Sequence, residues 1–263
     1  MKEEPNPAGT RSHETIIEIA APIEDVWKAI SEAPDLARWF APSMTVEPGA
    51  GGSVLADWGP GLAWKTAIEI WEPNRHLRLT ETRDRVMSSS PVEESLPPSR
   101  LIQDFFLESA GGRTVLRLVH SGFGSSAAWD TEYEGTRGGW AVCFLRMKHV
   151  LELHRGEHVD NFILPWLCRG AEHAGVLSKI ESLVPEPLEN LSRGPYHLCG
   201  LMRGRNGSFF CLSVQPCPLG AVAYLEFVLY DQGAAVKSQI EQAWRTIMAE
   251  QFPGEQGDSA KLS

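Results

Sequence analysis

The sequence has no surplus of positive charge and no long uninterrupted apolar run. Its 263 residues carry 24 Lys and Arg against 34 Asp and Glu, so the formal net charge is −10. Nucleic acids and anionic membranes both attract surfaces rich in Lys and Arg, so the charge balance argues against either partner. The longest uncharged stretch, residues 206–225, is interrupted by Pro and Gly. No membrane span is therefore predicted.

Cysteines are few, and the common catalytic motifs are missing. The five cysteines are an odd number, and none belongs to a Cys-x-x-Cys pair. We therefore predict reduced thiols and no zinc site. No other metal and no cofactor is predicted. The N-terminus lacks the apolar middle of a signal peptide, which favours a cytoplasmic location. The sequence also has no Gly-x-Ser-x-Gly elbow and no phosphate-binding Gly-x-x-x-x-Gly-Lys. No catalytic constellation is predicted.

In the first half of the chain, the spacing at which apolar residues recur changes twice. After a polar arm of about 12 residues and a β-type run at 15–19, Pro22 suits the first position of a helix. From 43 to 120 the period is two, which is typical of antiparallel strands with one buried face. The candidate strands are 44–47, 53–58, 63–71, 76–82, 101–108 and 113–120. Turns such as 59–61 and a long loop at 87–100 separate them.

A long amphipathic helix is predicted from Gly138 to Leu153. Its apolar residues recur at the spacing of one helix face, and Arg146, Lys148 and Glu152 are expected on the opposite, solvent-facing side. In the strand at 63–71, alternation puts Trp64, Thr66, Ile68 and Ile70 on one face. These patterns predict antiparallel strands with one buried face, followed by a helix with a wide apolar stripe.

Residues 160–263 are predicted to form a separate, small α+β module of unknown role. Residues 161–167 are apolar and irregular, 171–183 are helical and 185–195 resemble a linker. Three strands at 196–202, 208–214 and 221–230 form a meander, with Asn206-Gly207 as a hairpin signal between the first two. A final helix runs near 234–252. The exposed face or edge of its sheet is expected to dock on the first domain or to form a homodimer.

Five short sequence motifs in the first half occur in a characteristic order. They are Ala21-Pro22-Ile23-Glu24-Asp25-Val26-Trp27, Trp39-Phe40 before Gly51-Gly52, Glu72-Pro73 before Leu77, His120-Ser121-Gly122-Phe123, and Gly139-Trp140. Together with the element order, they resemble the START-like, or SRPBCC, helix-grip fold. Within it they resemble the bacterial branch of the family named after the activator of the heat shock protein 90 ATPase. The resemblance covers residues 12–157.

The resemblance implies an antiparallel sheet wrapped on a long C-terminal helix, with a cavity between them. On this reading its inward-facing residues are Phe40, Trp58, Trp64, Ile68, Leu79, Leu116, Leu118, His120, Trp140, Phe144 and Met147. An aromatic wall with a single titratable group fits a small hydrophobic or aromatic ligand. The alternative is that these residues are simply core and that His120 is a hydrogen-bonded structural group.

Three functions therefore remain open. The first is non-enzymatic binding of a small hydrophobic ligand in the helix-grip cavity. The second, implied by the family name, is a stress-response interaction protein that stimulates a heat-shock ATPase. The third is a cavity enzyme of the cyclase, dehydratase or hydrolase type, which would need His120 together with Asp57 or Asp104.

One pair of histidines has the spacing of metal ligands. His154 and His158 are separated by four residues, but no Glu stands between them in a His-Glu-x-x-His pattern. The predicted helix also ends at this point, where cations are favoured. A solvated helix C-terminus is therefore expected, and no metal site is predicted.

Overall fold

The computed structural model describes residues 9–58, 63–82, 100–184, 188–217 and 219–252. The predicted turn at 59–61 and nearly all of the predicted loop at 87–100 lie outside these residues. The described chain forms two compact units. With the exception of Trp58, which is grouped with the second unit, the described residues up to Arg155 form the first unit and those from Gly156 form the second. Each unit is built around its own antiparallel sheet.

The described residues of the first unit form seven strands and three α-helices. In chain order they are β1 (Thr10–Ile19), α1 (Ile23–Ser31), α2 (Ala33–Leu36), β2 (Ser43–Glu47), β3 (Ser53–Asp57), β4 (Ala63–Glu72), β5 (His76–Thr82), β6 (Arg100–Ala110), β7 (Arg113–Gly124) and α3 (Asp130–Leu153). Every neighbouring pair is antiparallel, in the order β1-β7-β6-β5-β4-β3-β2. Strands β2 to β7 form a meander, and β1 pairs with the last of them.

The long helix α3 lies on this sheet. Trp140, Phe144 and Met147 of its apolar stripe are 6%, 1% and 0% exposed. Near the C-terminal end of the helix, Lys148 donates a hydrogen bond from Nζ to the carbonyl of Glu18 in β1. This bond attaches that end of the helix to the edge of the sheet. The predicted α+β helix-grip architecture is confirmed.

Two predicted boundaries in the first unit are wrong. Strand β1 begins at Thr10, although the sequence predicts a loose arm there, because its polar residues pair with the extended end of β7 and Arg11 forms an ion pair with Asp130. Helix α3 begins at Asp130, two turns before the predicted start at Gly138. The first residues of β1 and the first two turns of α3 are polar. The spacing of apolar residues therefore predicts both elements to be shorter than they are.

Arg146 is a further correction, because it is buried rather than solvent-facing. Its Nη1 donates a hydrogen bond to the carbonyl of Trp39 at 3.1 Å. A long Arg side chain can bury its stem along apolar surface while its head finds a polar partner. Here that partner is a backbone carbonyl at the end of the α2 region, so Arg146 anchors this region to α3.

Strand β4 departs from strict alternation at one position. The pairing with β5 shifts between Ile68 and Ile70, which is a β-bulge. An extra residue switches the faces of those that follow it. Trp71 therefore packs edge-to-face on Trp27 of α1, with 5.3 Å between the ring centroids. The expectation that Ile70 continues the face of Trp64 and Thr66 is wrong for this reason.

In the part of the second unit that the structure describes, there are five strands and two α-helices. They are β8 (Val159–Arg169), α4 (His173–Leu183), β9 (Leu188–Arg193), β10 (His197–Met202), β11 (Ser208–Cys217), β12 (Gly220–Tyr230) and α5 (Ala234–Gln251). The sheet order is β8-β12-β11-β10-β9. Residues of α4 and α5, such as Ile180 and Trp244, share one apolar core with the sheet.

The predicted meander is confirmed, but the sheet has two more strands. Residues 161–167, predicted to be irregular, belong to β8, and part of the predicted linker at 185–195 is β9. Sequence pattern missed β8 because Pro165 lies inside it and both of its faces are largely apolar. An edge strand tolerates that Pro, since β12 is the only described strand that pairs with β8.

Backbone conformation supports the hairpin signal between β10 and β11. Asn206 and Gly207 have φ values of 54° and 64°, in the left-handed region that Asn and Gly tolerate best. The prediction of five reduced thiols is wrong, because Cys199 and Cys211 lie directly opposite each other in this hairpin and form a disulfide.

Candidate functional site

The candidate site is a small cavity inside the first unit. It is enclosed by the inner face of strands β3 to β6, the α1–α2 region and one residue of α3, and its volume is about 30 Å³. Five aromatic side chains line it, namely Trp39, Phe40, Trp64, Phe105 and Trp140. A space of this size holds about one water molecule, whereas drug-sized ligands need several hundred Å³. The site is therefore nearly closed.

Two aromatic rings form a parallel stack at the cavity. The centroids of Phe40 and Trp140 are 5.4 Å apart, and their planes differ by only 7°. Phe105 meets Trp140 edge-to-face at 5.6 Å. Offset stacks and edge-to-face contacts are the favoured arrangements of aromatic pairs. The cavity thus presents both a flat π-face and a ring edge.

The indole N–H groups at the site are used by the protein itself. Trp39 donates from Nε1 to the carbonyl of Ala29 at 2.8 Å, and Trp140 donates from Nε1 to Nδ1 of His120 at 3.2 Å. Each bond fixes the orientation of its ring. Both indoles therefore act on the cavity as rigid apolar surfaces.

Only two polar side chains are among the residues that line the cavity in the described chain, Thr66 and Gln103. The Thr66 hydroxyl lies 3.5 Å from the carbonyl of Val54, at the long limit of a hydrogen bond. Gln103 is 5% exposed. The described lining contains no charged side chain, so the site is suited to an uncharged molecule.

The structure brings four of the eleven predicted site residues to the cavity: Phe40, Trp64, Leu79 and Trp140. Six others are buried elsewhere in the core: Ile68, Leu116, Leu118, His120, Phe144 and Met147. Trp58 follows β3 and is half-buried, and it is not part of the lining. Sequence reasoning missed Gln103 and Phe105, which the alternation of β6 places on the same face.

His120 occupies an aromatic cluster and not the cavity wall. Its ring lies 4.7 Å from that of Phe123 and 5.2 Å from that of His13, the residue opposite it on β1. Burial, followed by the charge of Arg137, lowers the pKa of His13 to about 4, although Glu134 acts in the opposite direction. His13 is therefore neutral at pH 7.

Asp104 faces away from the cavity. It follows Gln103 in β6, so its side chain points to the other face of the sheet. There its Oδ1 accepts hydrogen bonds from His76 Nε2 at 2.6 Å and from Arg78 Nε at 2.7 Å. Burial alone would raise the pKa of Asp104, but these two partners outweigh it and lower that pKa. Asp104 and His120 are thus not brought together.

The two histidines with metal-ligand spacing have separate surroundings. His154 is buried, with its Nε2 3.2 Å from Nε2 of His149, so the expectation of a solvated His154 is wrong. His158 is mostly exposed, 3.5 Å from Asp160. Across the described residues, no group of three His, Cys, Asp or Glu side chains could hold a metal ion. In the same residues, no helix is long and apolar enough to cross a membrane.

The sheet, the long helix and the cavity between them define a START-like protein with a helix-grip fold. The sequence model of the family described as activator of Hsp90 ATPase homolog 1-like protein matches residues 20–152, about half of the chain. The chain belongs to this family. A search of curated proteins finds no match.

Several solved structures are similar to this chain. Protein MLL2253 from Mesorhizobium loti is 24% identical, with coverage of 54% of this chain and 96% of that one and a TM-score of 0.45. The Aha1 dimer from Colwellia psychrerythraea is 20% identical, with coverage of 56% and 99% and a TM-score of 0.46. DynU16, a putative protein in the dynemicin biosynthetic locus, is 17% identical, with coverage of 82% and 86% and a TM-score of 0.44.

Proposed function

We propose that the first unit binds a small, uncharged aromatic molecule in the cavity beneath α3. The parallel stack of Phe40 on Trp140 carries this proposal. A planar ligand that replaces the Phe40 ring would gain the same stacking contact with Trp140. Because the cavity measures only about 30 Å³, binding requires this displacement.

Phe40 is the ring best placed to move. It is half-buried and lies after α2, outside any helix or strand. Trp39 and Trp140 are buried, and each is held by an indole hydrogen bond. Phe40 has no polar atom that could anchor it in this way. Its rotation towards solvent would join the volume of its own ring to the existing cavity.

Ligand binding to two matched variants tests the proposal. Naphthalene and indole are titrated into the wild-type protein, Phe40→Ala and Phe106→Ala, with native mass spectrometry and thermal shift as readouts. An apolar cavity made by truncation binds small aromatic molecules, so Phe40→Ala should bind both probes more tightly than the wild type. Phe106, the next aromatic residue of β6 beyond Phe105, serves as the control. Equal affinities in all three proteins would contradict the proposal.

The family name supports a second candidate, an interaction that stimulates the Hsp90 ATPase. The family model covers most of the first unit. An acidic protein of net charge −10 is suited to a basic partner surface. An ATPase assay with purified Hsp90, with and without this protein, tests that candidate. An unchanged ATPase rate at saturating protein would exclude it.

The residues at the cavity support binding more than catalysis. The enzyme hypothesis needs His120 and an acidic partner to converge on the cavity. His120 accepts the Trp140 indole hydrogen bond away from the lining, and Asp104 faces the opposite side of the sheet. The geometry therefore favours binding over turnover.

A further inference from the structure

Gln103 is a polar side chain in an otherwise apolar part of the core. It lies in the middle of β6, opposite Leu79 of β5 and His120 of β7, and it is 5% exposed. Its side chain lines the cavity with five aromatic rings. Within the described residues, no hydrogen bond of its amide group is found. The amide is also absent from the fully enclosed polar groups that lack a partner, which fits an amide that borders the open space of the cavity.

A buried amide without a partner is unfavourable, and a Leu or Met of similar size would fill the same position without that cost. Most buried polar groups have a hydrogen-bond partner. An amide that is directed into a cavity, and not into the protein, has its donor and acceptor available to whatever enters. The position of Gln103 therefore favours an occupant that can form hydrogen bonds.

On the basis of the proposed function, we infer that Gln103 recognises a ligand whose aromatic ring carries an adjacent N–H donor and C=O acceptor, as in a lactam. A carboxamide presents one acceptor and two donors in a plane, which complements such a pair with two hydrogen bonds. The cavity is so small that a ligand reaching Gln103 also contacts Trp140. The ring would stack on Trp140 while its lactam edge meets Gln103.

The ligand is neutral. The described lining offers no charged side chain to pair with a carboxylate or an ammonium group. The charged groups of the neighbouring strands, Asp104 and Arg78, pair with each other on the other face of the sheet. An ionised ligand would lose its hydration without compensation.

Three probes of nearly the same shape test the inference in the full-length protein. They are isoquinolin-1(2H)-one, which has the lactam pair, its N-methyl derivative, which lacks the donor, and naphthalene, which has neither group. Their dissociation constants are measured by calorimetry for the wild type and for Gln103→Leu. The wild type should prefer the lactam to naphthalene by about tenfold or more, since each hydrogen bond contributes about three- to tenfold. Gln103→Leu should lose this preference and keep its affinity for naphthalene.

The outcomes separate this inference from the proposed function. If the wild type binds naphthalene and the lactam equally well, and Gln103→Leu changes neither, the proposed function stands and the role of Gln103 is overturned. If neither probe binds the wild type or Phe40→Ala, both proposals are overturned.

A thermal melt adds an independent readout, because removing an unpartnered buried amide should raise the Tm of Gln103→Leu. A clear fall in Tm would show that Gln103 has a structural partner, such as a water molecule held in the cavity, and would contradict the inference.

Discussion

The ring of Phe40 lies parallel to the indole of Trp140, with centroids 5.4 Å apart and an interplanar angle of 7°. The same indole donates its N–H to His120 on β7. Trp140 therefore connects the segment after α2, the long helix and the sheet through one side chain. This connection holds the cavity wall in place.

Trp140→Phe should destabilise the protein more than Trp244→Phe. The first substitution removes the hydrogen bond to the buried His120, and leaving a buried acceptor without its donor costs about 1–3 kcal/mol. Trp244 is equally buried in the second unit, where the described contacts of its ring are aromatic packing. Urea denaturation measures both variants. Equal losses in the free energy of unfolding would show that the indole N–H of Trp140 contributes nothing.

His13 makes the stability depend on pH. Its pKa is about 4 in the folded protein, against an ordinary value of 6.5. As the pH decreases, His13 is therefore protonated in the unfolded chain before it is protonated in the folded protein. The free energy of unfolding falls between pH 6.5 and 4, by up to about 3 kcal/mol. His13→Phe should flatten the profile in this window, since Phe fits among Phe123 and Tyr133. A His13→Phe profile that falls as steeply as that of the wild type between pH 6.5 and 4 would contradict this account.

Asp104 stabilises the opposite face of the sheet. Asp104→Asn at pH 7 should lower the free energy of unfolding by about 2–4 kcal/mol. The substitution removes the negative charge of the carboxylate that contacts both His76 and Arg78. Since the folded pKa of Asp104 is lowered, its contribution is present at neutral pH and is lost only below its ordinary pKa of 3.8. Glu108→Gln, at an exposed position of the same strand, is the control. A variant as stable as that control would contradict the role of the buried pair.

Gly122 is required by the backbone at the end of β7. Its φ is +97°, and a Cβ there would lie 2.1 Å from the carbonyl oxygen of Arg100. Gly122→Ala should therefore destabilise the protein by more than about 2 kcal/mol. Gly138 in α3 has open space around its Cβ position. Gly138→Ala should stabilise the protein by up to about 1 kcal/mol, and thermal denaturation distinguishes the two outcomes.

The sequence predicts the fold of the first unit well because its strands alternate and its turns contain Gly and Pro. Alternation identifies a strand only where one face is buried and the other is wet. Strand β8 is largely apolar on both faces, and the first turns of α3 are polar, so both were missed or shortened. The sequence places Arg146 on the solvent side of the helix because its side chain is charged. Its hydrogen bond to the carbonyl of Trp39 becomes visible only in the structure.

The candidate site was harder to predict than the fold. Periodicity identifies which residues point inwards, but it does not separate those that fill the core from those that border a cavity. Leu116 and Trp64 both point inwards, and only Trp64 borders the space. Gln103 was missed because a polar residue inside a strand lowers the apolar signal, and its position becomes informative only when its neighbours are known.

The indole N–H resonances of the nine tryptophans test the central claim most directly. The protein is labelled with ¹⁵N-tryptophan and titrated with naphthalene, and Trp140→Phe assigns the key resonance. The resonances of Trp39, Trp64 and Trp140, which line the cavity, should shift saturably, while those of Trp166 and Trp244 in the second unit should stay in place. If the three cavity resonances do not move, or if all nine move together, the first unit has no aromatic binding site beneath α3.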